Sequence, residues 1–350
     1  MDKHIQRQTL GNTDIKVSQL GFGAASLGNL YHKVSELDSS ATLTAAISAG
    51  LNLYDTAPRY GLGLSERRVG NALRELARDS YVVSTKVGRI LTPDRHANTS
   101  ELRYGFDTPM PFDAHYDYSY DGIMRSYEDS LQRLGLASID VLLVHDIGKL
   151  THGEQDSHYF KQLETSGYKA LEELRSSKQI RAVGLGVNET QVCERAMHIG
   201  QFDCFLLAGR YSLLEQGAID SFLPKCMEHG ASVILGGPYN SGILATGVSN
   251  NPNATYDYEP APKHIIERVA KIENICQDHK VSLAAAALQF PIAHPAVATV
   301  IPGMGTGARV EKTVQLFNQV ISDDFWQELK AEGLIQANAP VPGEVEADAR

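Results

Sequence analysis

The sequence predicts a single (β/α)8 barrel, the TIM barrel fold, with one long loop over its open end. Apolar stretches rich in β-branched residues alternate with helical patterns along nearly the whole chain, as in parallel sheets whose faces are covered by helices. Eight such units occur, and this number favours a closed barrel over an open sheet. A chain of 350 residues often forms two domains, but barrels of this length commonly form one.

Each element is placed by the apolar run or the helical period that marks it. The predicted strands are 19–23, 51–55, 81–87, 139–145, 180–186, 204–208, 232–235 and 298–301. The predicted helices are 37–49, 65–77, 123–134, 167–177, 190–199, 217–229, 263–279 and 309–320. Gly135 and Gly230 stand where left-handed glycines end helices, and Asn188 precedes an apolar-periodic run as an N-cap does.

The domain organisation is predicted from the lack of interruptions in this alternating pattern. One domain is expected over residues 1–336, because no linker, solenoid-period repeat or low-complexity tract occurs there. The segment 337–350, rich in Pro, Glu and Ala, is expected to be a loosely ordered tail. The N-terminal residues lack an apolar core of signal-peptide length, and no apolar run reaches the roughly 18 residues of a membrane span. These features favour a cytoplasmic protein.

Composition limits the partner. Acidic residues outnumber basic ones, 42 to 32, the formal net charge is −10, and no Lys/Arg-rich block occurs. Nucleic acid and anionic membranes are therefore unfavourable partners, and a small-molecule substrate is expected. No metal site is predicted, and the oligomeric state is left open. The cysteines stand singly, without metal-ligand spacing, and are expected to be reduced core thiols: Cys193, Cys204, Cys226 and Cys276.

The connection 88–119 is too long for a plain turn. Long loops in compact domains are usually functional or disordered, and disordered segments are poor in aromatic residues. This connection instead carries Tyr104, Phe106, Phe112, His115, Tyr116 and Tyr118. We therefore expect a loop that covers a substrate.

Polar side chains stand at the ends of three otherwise apolar strands. Asp55 ends NLYD, Lys86 ends VVSTK and His145 ends DVLLVH, while Tyr60 lies on the loop after the first of them. The C-terminal ends of barrel strands share one face, so these side chains are expected around one pocket. Taken alone, the stretch 52–63 is explained equally well by a helix-capping Asp55 and a half-buried loop Tyr60.

This set suits proton transfer at an alcohol or carbonyl oxygen. A tyrosine hydroxyl has an ordinary pKa near 10 and is a poor base at neutral pH, but an ammonium beside it lowers that pKa. Lys86 is the expected ammonium, and a buried lysine stays charged only beside a carboxylate, here Asp55. His145 is expected to orient or polarise the same oxygen.

Over nearly its whole length, about 20–320, the chain resembles the aldo-keto reductases. The family's tetrad of Asp, Tyr, Lys and His matches Asp55, Tyr60, Lys86 and His145 in order and context. The pattern D-x4-Y, with a lysine closing the next strand and a histidine closing the one after, is far more specific than a lone glycine motif. The resemblance implies an NAD(P)-dependent oxidoreductase in which this tetrad is catalytic.

The resemblance also implies a nicotinamide cofactor lying across the barrel mouth. Of the family's carboxamide-binding Ser-Asn pair only Asn188 is retained, because Val187 stands in the serine position. The family's glutamine and stacking tyrosine fall on Ala208 and Gly236. Glycines leading into a helix let backbone N–H groups approach a pyrophosphate. The implied cofactor-binding residues are Gly23, Asn188, Gly237, Pro238, Tyr239, Ser241, Gly242, Gly303, Met304, Gly305, Thr306 and Arg309.

The loop after the eighth strand bears on which cofactor is used. Family members that prefer the 2′-phosphate commonly have a lysine and an arginine there, and these positions are Gly303 and Arg309. Loss of one of two cations is expected to weaken the attraction for a phosphate dianion, while Arg309 remains able to stack on adenine. NAD is therefore the expected cofactor, with NADP as the alternative.

The stretches YDTAPRYGLGLSERRVG and HDIGK are similar to one subgroup of the family. It holds the aldose 1-dehydrogenases of the L-fucose, D-arabinose and L-galactose type, and the same stretches are similar to pyridoxal 4-dehydrogenase. Their substrates are cyclic hemiacetals. The resemblance implies oxidation of the anomeric hydroxyl to a lactone with Tyr60 as base. Substrate contacts are expected from Arg59, His115, Tyr116 and Asp146.

Three alternatives stay open. An NADPH-dependent aldehyde reductase would use the same tetrad in the opposite direction. A cofactor-binding regulatory subunit, as the potassium-channel β subunits are within this family, would bind without turnover, and the intact tetrad argues weakly against it. A Schiff-base aldolase using Lys86 is conceivable on a barrel, but a lysine beside a carboxylate is held charged and is a poor nucleophile.

Overall fold

Eight parallel strands form the centre of the molecule. The computed structural model describes residues 5–249 and 251–344. Within them the strands pair in one unbroken order from the first to the last. They are β1 Phe22–Gly23, β2 Leu53–Asp55, β3 Val82–Val87, β4 Val141–His145, β5 Ala182–Val187, β6 Cys204–Ala208, β7 Ser232–Gly236 and β8 Val297–Ile301. Parallel bridges from Leu20 to Val300 and from Gly23 to Gly303 join the first strand to the last. The predicted (β/α)8 barrel is therefore confirmed.

The outer layer is helical. The helices that match the predicted ones, with shifted ends, are Glu36–Ser48, Leu64–Leu73, Tyr120–Leu134, Tyr168–Ser176, Thr190–Ala196, Phe222–His229, Lys263–Asp278 and Gly307–Phe317. In the part of the chain that the structure describes, five more α-helices were not predicted: Lys149–His152, Asp156–Gln162, Ile243–Thr246, Leu283–Gln289 and Asp323–Ala331. Gly135 and Gly230 end their helices with φ values of 63° and 72°, as expected. The N-cap of Thr190–Ala196 is Glu189 and not Asn188.

The strands are apolar throughout because both of their faces are buried. Along β4, Val141 and Leu143 point into the barrel, where they pack with Leu53 and Ile234. Leu142 and Val144 point outward into the larger core beneath the helices. Successive strand residues face opposite sides, so a strand buried on both faces loses the polar alternation of a surface strand.

A short hairpin closes one end of the barrel. Its strands, Arg7–Thr9 and Lys16–Ser18, pair antiparallel. Leu10, Ile15 and Val17 are fully buried and pack against the interior residues of the barrel. The interior is therefore filled by side chains at this N-terminal end, and chemistry is confined to the opposite end.

The long connection after β3 is ordered as a second hairpin. Arg89–Pro93 pairs antiparallel with Phe112–Tyr116, which places Arg89 opposite Tyr116. Phe106, at the far end of the connection, bridges to Leu30 on the loop after β1. The connection thus lies over the C-terminal mouth of the first strands.

The C-terminal segment differs from expectation. Ala339 and Val341 are buried in the main core, and Lys330 pairs with Glu344 at 2.9 Å. Residues 337–344 are therefore packed against the barrel rather than loosely ordered, while 345–350 lie outside the described residues. All four cysteines are buried thiols without a disulfide, as expected. Across the described residues, no helix has both the length and the apolar character needed to cross a bilayer.

Candidate active site

Three strand ends deliver their polar side chains to one mouth. Asp55 is the last residue of β2, His145 is the last of β4, and Lys86 is the next to last of β3. All three are buried, with exposed fractions of 2%, 5% and 1%. Tyr60, on the loop after β2, is only partly buried. Its ring centroid lies 4.8 Å from Lys86 Nζ and 6.0 Å from the His145 ring, which it meets edge-on. The structure therefore brings the four predicted residues together.

The Lys86 ammonium donates two hydrogen bonds. It donates to Asp55 Oδ2 at 2.7 Å and to the Thr56 carbonyl oxygen at 2.9 Å. Ser84 donates to the other Asp55 oxygen at 3.0 Å. Asp55 therefore serves as the counter-charge of Lys86, not as a helix cap, and the following helix begins after Gly63.

Charge on the lysine is maintained by its neighbours. Burial lowers the pKa of Lys86, but Asp55 and then Tyr60 outweigh it, so the pKa is raised overall. Burial raises the pKa of Asp55, and Lys86 acts in the opposite direction. The pair is therefore an ammonium beside a carboxylate, which disfavours a nucleophilic amine at Lys86.

Tyr60 departs from the expectation of a lowered pKa. Burial raises the pKa of Tyr60 to about 12, although Lys86 lowers it and thus acts in the predicted direction. Removal from water disfavours a phenolate, and here this effect exceeds the attraction of one ammonium. At neutral pH the residue is therefore a phenol, able to donate a proton.

His145 is a neutral imidazole. Burial lowers the pKa of His145 well below its ordinary value, and the cations Arg89, Lys86 and Arg59 lower it further against the opposing effect of Asp146. Nε2 lies 3.5 Å from Asp146 Oδ2, and Nδ1 is buried without a hydrogen-bond partner among the described residues. A neutral imidazole can donate one hydrogen bond to a substrate oxygen.

The predicted substrate residues are only partly brought together. Arg59 is half-buried beside Tyr60, and Asp146 forms an ion pair with Arg89, whose guanidinium lies 4.6 Å over the Tyr116 ring. His115 is exposed and alternates with Tyr116 along the hairpin strand, so the two side chains face opposite sides.

Arg89 was not predicted. It follows β3 instead of closing that strand, so it does not belong to the pattern of polar strand ends. The only indication of Arg89 in the sequence is its position, three residues after the strand-closing Lys86.

The loops after β7 and β8 border an open surface. Gly303 and Thr306 are exposed, and Thr306 caps the helix Gly307–Phe317 by accepting from Arg309 N at 3.2 Å. A Cβ atom on Gly303 would meet nothing within 4 Å. Exposed glycine backbone leading into a helix N-terminus fits the diphosphate of a dinucleotide. The other predicted residues of these loops are exposed at Gly237 and Ser241, buried at Pro238 and Met304, and partly buried at Tyr239, Gly242, Gly305 and, beside them, Asn188.

Gly23 has a structural explanation of its own. It pairs with Gly303 between β1 and β8, and a Cβ atom there would lie 2.7 Å from the Ile301 carbonyl oxygen. The closing seam of the barrel therefore excludes a side chain at this position.

Asn188 is covered by a segment that the sequence did not reveal. Its Nδ2 donates to the Ala208 carbonyl oxygen at 3.4 Å and to the Tyr258 hydroxyl at 3.3 Å. Tyr258 stands between the two-residue strands Thr255–Tyr256 and Glu259–Pro260. Arg210 stabilises this turn by donating to both carboxylate oxygens of Asp257, at 2.9 and 3.1 Å.

Comparison with known proteins identifies the family. The model of the Aldo/keto reductase family matches residues 19–332. The chain belongs to the aldo/keto reductase family. It is therefore an NAD(P)-dependent oxidoreductase acting on CH–OH groups.

Two relatives resemble this aldo/keto reductase closely. Pyridoxal 4-dehydrogenase of Microbacterium luteolum is 42% identical over 95% of this chain and 99% of its own. D-threo-aldose 1-dehydrogenase of a Pseudomonas species is 36% identical over 92% of this chain and 95% of its own. Among solved structures, the holo form of an aldo-keto reductase from Bacillus halodurans superposes with a TM-score of 0.73 at 24% identity, covering 96% of this chain and 98% of its own. That structural likeness supports the fold.

Replacing Asp55 by asparagine tests whether the buried pair is charged. Asp55→Asn is expected to lower the free energy of unfolding by about 3–5 kcal/mol, because Lys86 is left buried without a counter-charge. Urea denaturation measures the change. The double variant Asp55→Asn/Lys86→Met should recover most of the loss. Ser84→Ala removes only a hydrogen bond and serves as control, at about 1 kcal/mol. If Asp55→Asn lost no more than this control, the pair would not be ionic.

Proposed function

We propose that this enzyme oxidises the hydroxyl-bearing carbon of a cyclic hemiacetal to a lactone, with NAD as the acceptor. The observation that carries the proposal is the meeting of the Tyr60 phenol, the Lys86 ammonium and the neutral His145 imidazole at one mouth. The two relatives act, by their names, on pyridoxal and on D-threo-aldoses. Both substrates form ring hemiacetals, so this shared group defines the class, with L-fucose, D-arabinose and L-galactose as the aldoses to test.

The residues of the site divide the work of the reaction. A nicotinamide cofactor held at the loops after β7 and β8 would supply the acceptor for the hydride of the hemiacetal carbon. His145 donates a hydrogen bond to the hydroxyl oxygen and holds it beside Tyr60. Tyr60 in its phenolate form takes the hydroxyl proton, and Lys86 stabilises that phenolate. The electron pair left on the oxygen then becomes the carbonyl bond of the lactone.

A second candidate is reduction of an aldehyde by the same groups. The pKa of Tyr60, raised to about 12 by burial, keeps the phenol protonated at neutral pH. A protonated phenol beside His145 is suited to give a proton to a carbonyl oxygen, so this observation favours the reductive direction.

A substrate panel distinguishes these functions. Purified protein with L-fucose, D-arabinose, L-galactose or pyridoxal and NAD is expected to produce reduced cofactor and a lactone detectable by mass spectrometry. Turnover only of simple aldehydes with NADPH would support the reductase instead. Tight cofactor binding without turnover of any hemiacetal or carbonyl compound would support a regulatory subunit.

The role of Tyr60 is tested through both rate and pH. Tyr60→Phe is expected to lower kcat about 10²–10⁴-fold while cofactor affinity stays near normal, because only proton transfer is removed. Below pH 12 the phenolate fraction rises with pH, so wild-type oxidation should accelerate toward alkaline pH.

The Tyr60→Phe variant should lack this increase in the oxidation rate toward alkaline pH. Tyr54→Phe is the matched control, since its hydroxyl donates to the Leu51 carbonyl oxygen away from the site. Equal losses in the two variants would remove Tyr60 from proton transfer.

Cofactor choice is tested at Gly303. A side chain finds open space there and the backbone φ is not left-handed, so a lysine enters without strain. Gly303→Lys is expected to raise the preference for NADP over NAD about tenfold or more, since it adds a charge-assisted bond to the 2′-phosphate. Gly303→Met matches its length without charge and should leave the preference unchanged. Equal dissociation constants for NADP in Gly303→Lys and Gly303→Met would mean that the 2′-phosphate binds away from residue 303.

A further inference from the structure

One cation of the active-site mouth has no counter-charge. The Arg59 side chain is half-buried beside Tyr60, with its guanidinium carbon 5.5 Å from the centroid of the Tyr104 ring. Among the described residues no carboxylate forms an ion pair with it, and Asp146, whose charge acts on it, is already paired with Arg89. A half-buried guanidinium has five N–H donors to satisfy.

A second arginine beside it is also incompletely satisfied. Arg89 is 6% exposed and gives Nη2 to Asp146, yet its Nε is buried without a hydrogen-bond partner among the described residues. A buried donor left without an acceptor is unfavourable and is uncommon in native proteins. Arg59 therefore lacks a carboxylate, and Arg89 has one donor without an acceptor, among the described residues.

The charges around this position do not cancel. Lys86 is balanced by Asp55, and Arg89 is balanced by Asp146. Three other groups that line the mouth are neutral at pH 7, because burial raises the pKa values of the two tyrosines and lowers that of the histidine: Tyr60, Tyr116 and His145. Asp113 is exposed on the outer side of the hairpin, where it accepts from the Tyr104 hydroxyl and is screened by water. One positive charge, that of Arg59, is left over.

Another arginine on the same ring gives the contrast. Arg103 also lies over Tyr104, with its guanidinium carbon 5.7 Å from the ring centroid, but it is paired with Asp94 at 3.4 Å. Stacking on Tyr104 therefore does not by itself explain an arginine without a carboxylate. Arg59 differs from Arg103 in that it directly precedes Tyr60 and its charge acts on His145.

We propose that Arg59 pairs with an ionised oxygen of the substrate, so that the pocket selects a hemiacetal carrying such an oxygen over a neutral sugar. A hydroxypyridine hemiacetal, whose ring hydroxyl is ionised at neutral pH and stands next to the reacting carbon, has this chemistry. Aldoses do not. This inference rests on the proposed function and narrows its substrate class.

A matched pair of substrates tests the inference. Pyridoxal carries the ionised ring oxygen, and 3-O-methylpyridoxal keeps the ring and the hemiacetal but cannot ionise there. Wild-type protein is expected to show kcat/KM at least tenfold higher for pyridoxal than for the ether, as a charge-assisted hydrogen bond implies. Arg59→Met should bring this ratio close to one, and Arg59→Lys should restore part of it.

Arg103→Met is the matched control. It removes an arginine from the same tyrosine ring and should keep the wild-type ratio. Calorimetric binding of the two compounds to the cofactor-loaded Tyr60→Phe protein, with and without Arg59→Met, gives a second reading, because turnover is expected to be lost in that background. Circular dichroism reports whether Arg59→Met is folded.

The outcomes separate the two proposals. Equal use of both compounds by the wild type, or an unchanged ratio in Arg59→Met, would overturn the role of Arg59 and leave hemiacetal oxidation standing. Binding with the expected preference but no turnover would support Arg59 and overturn the proposed oxidation. Turnover of aldoses with no binding of pyridoxal would support the oxidation and overturn this inference.

Discussion

The buried ion pair between Lys86 and Asp55 is the constraint on which the site depends. Two ions removed from water are tolerated only if their remaining donors and acceptors are satisfied, and here the Thr56 carbonyl oxygen accepts from Lys86 and the Ser84 hydroxyl donates to Asp55. Stability alone does not require such a pair, since apolar residues of similar volume often serve as well. The consequence of the pair is a fixed positive charge beside Tyr60. This charge offsets part of the increase in the pKa of Tyr60 that burial causes.

The barrel supplies the rigidity that this pair needs. The lower end is filled by the hairpin side chains, and both faces of every strand are packed, so the strand ends have little freedom to move. Asp55, Lys86 and His145 project from that rigid end, while Arg59 and Tyr60 stand on the loop after β2 and the covering segments are loops and short hairpins. The strands therefore fix the buried ion pair and the histidine, and the loops bring the remaining side chains to them.

The strands and the polar residues at their ends were predicted well, because the first depend on hydrophobic periodicity and the second on position in the strand. The eight strands are apolar runs, and three of them end in the polar residues that meet at the mouth. The helix Leu283–Gln289 was missed because its alanine-rich sequence is apolar on all sides and has no period to detect. Asn188 was taken for a cap because Asn commonly serves as one, yet its amide donates across the site instead. The single-domain organisation and the functional roles of the site residues stay predictions.

The pKa values of the site residues were the property hardest to predict from the sequence. They depend on burial as much as on neighbouring charges. The sequence placed an ammonium beside Tyr60 and thus gave the sign of that effect, but the opposing and larger cost of removing a phenolate from water appears only in the folded site. The same reasoning links Tyr60 to Arg59. An ionised substrate oxygen close to Tyr60 would raise the pKa of Tyr60 still further and oppose its action as a base. A guanidinium that pairs with this oxygen removes the penalty, so a cation without its own carboxylate is what such a substrate needs.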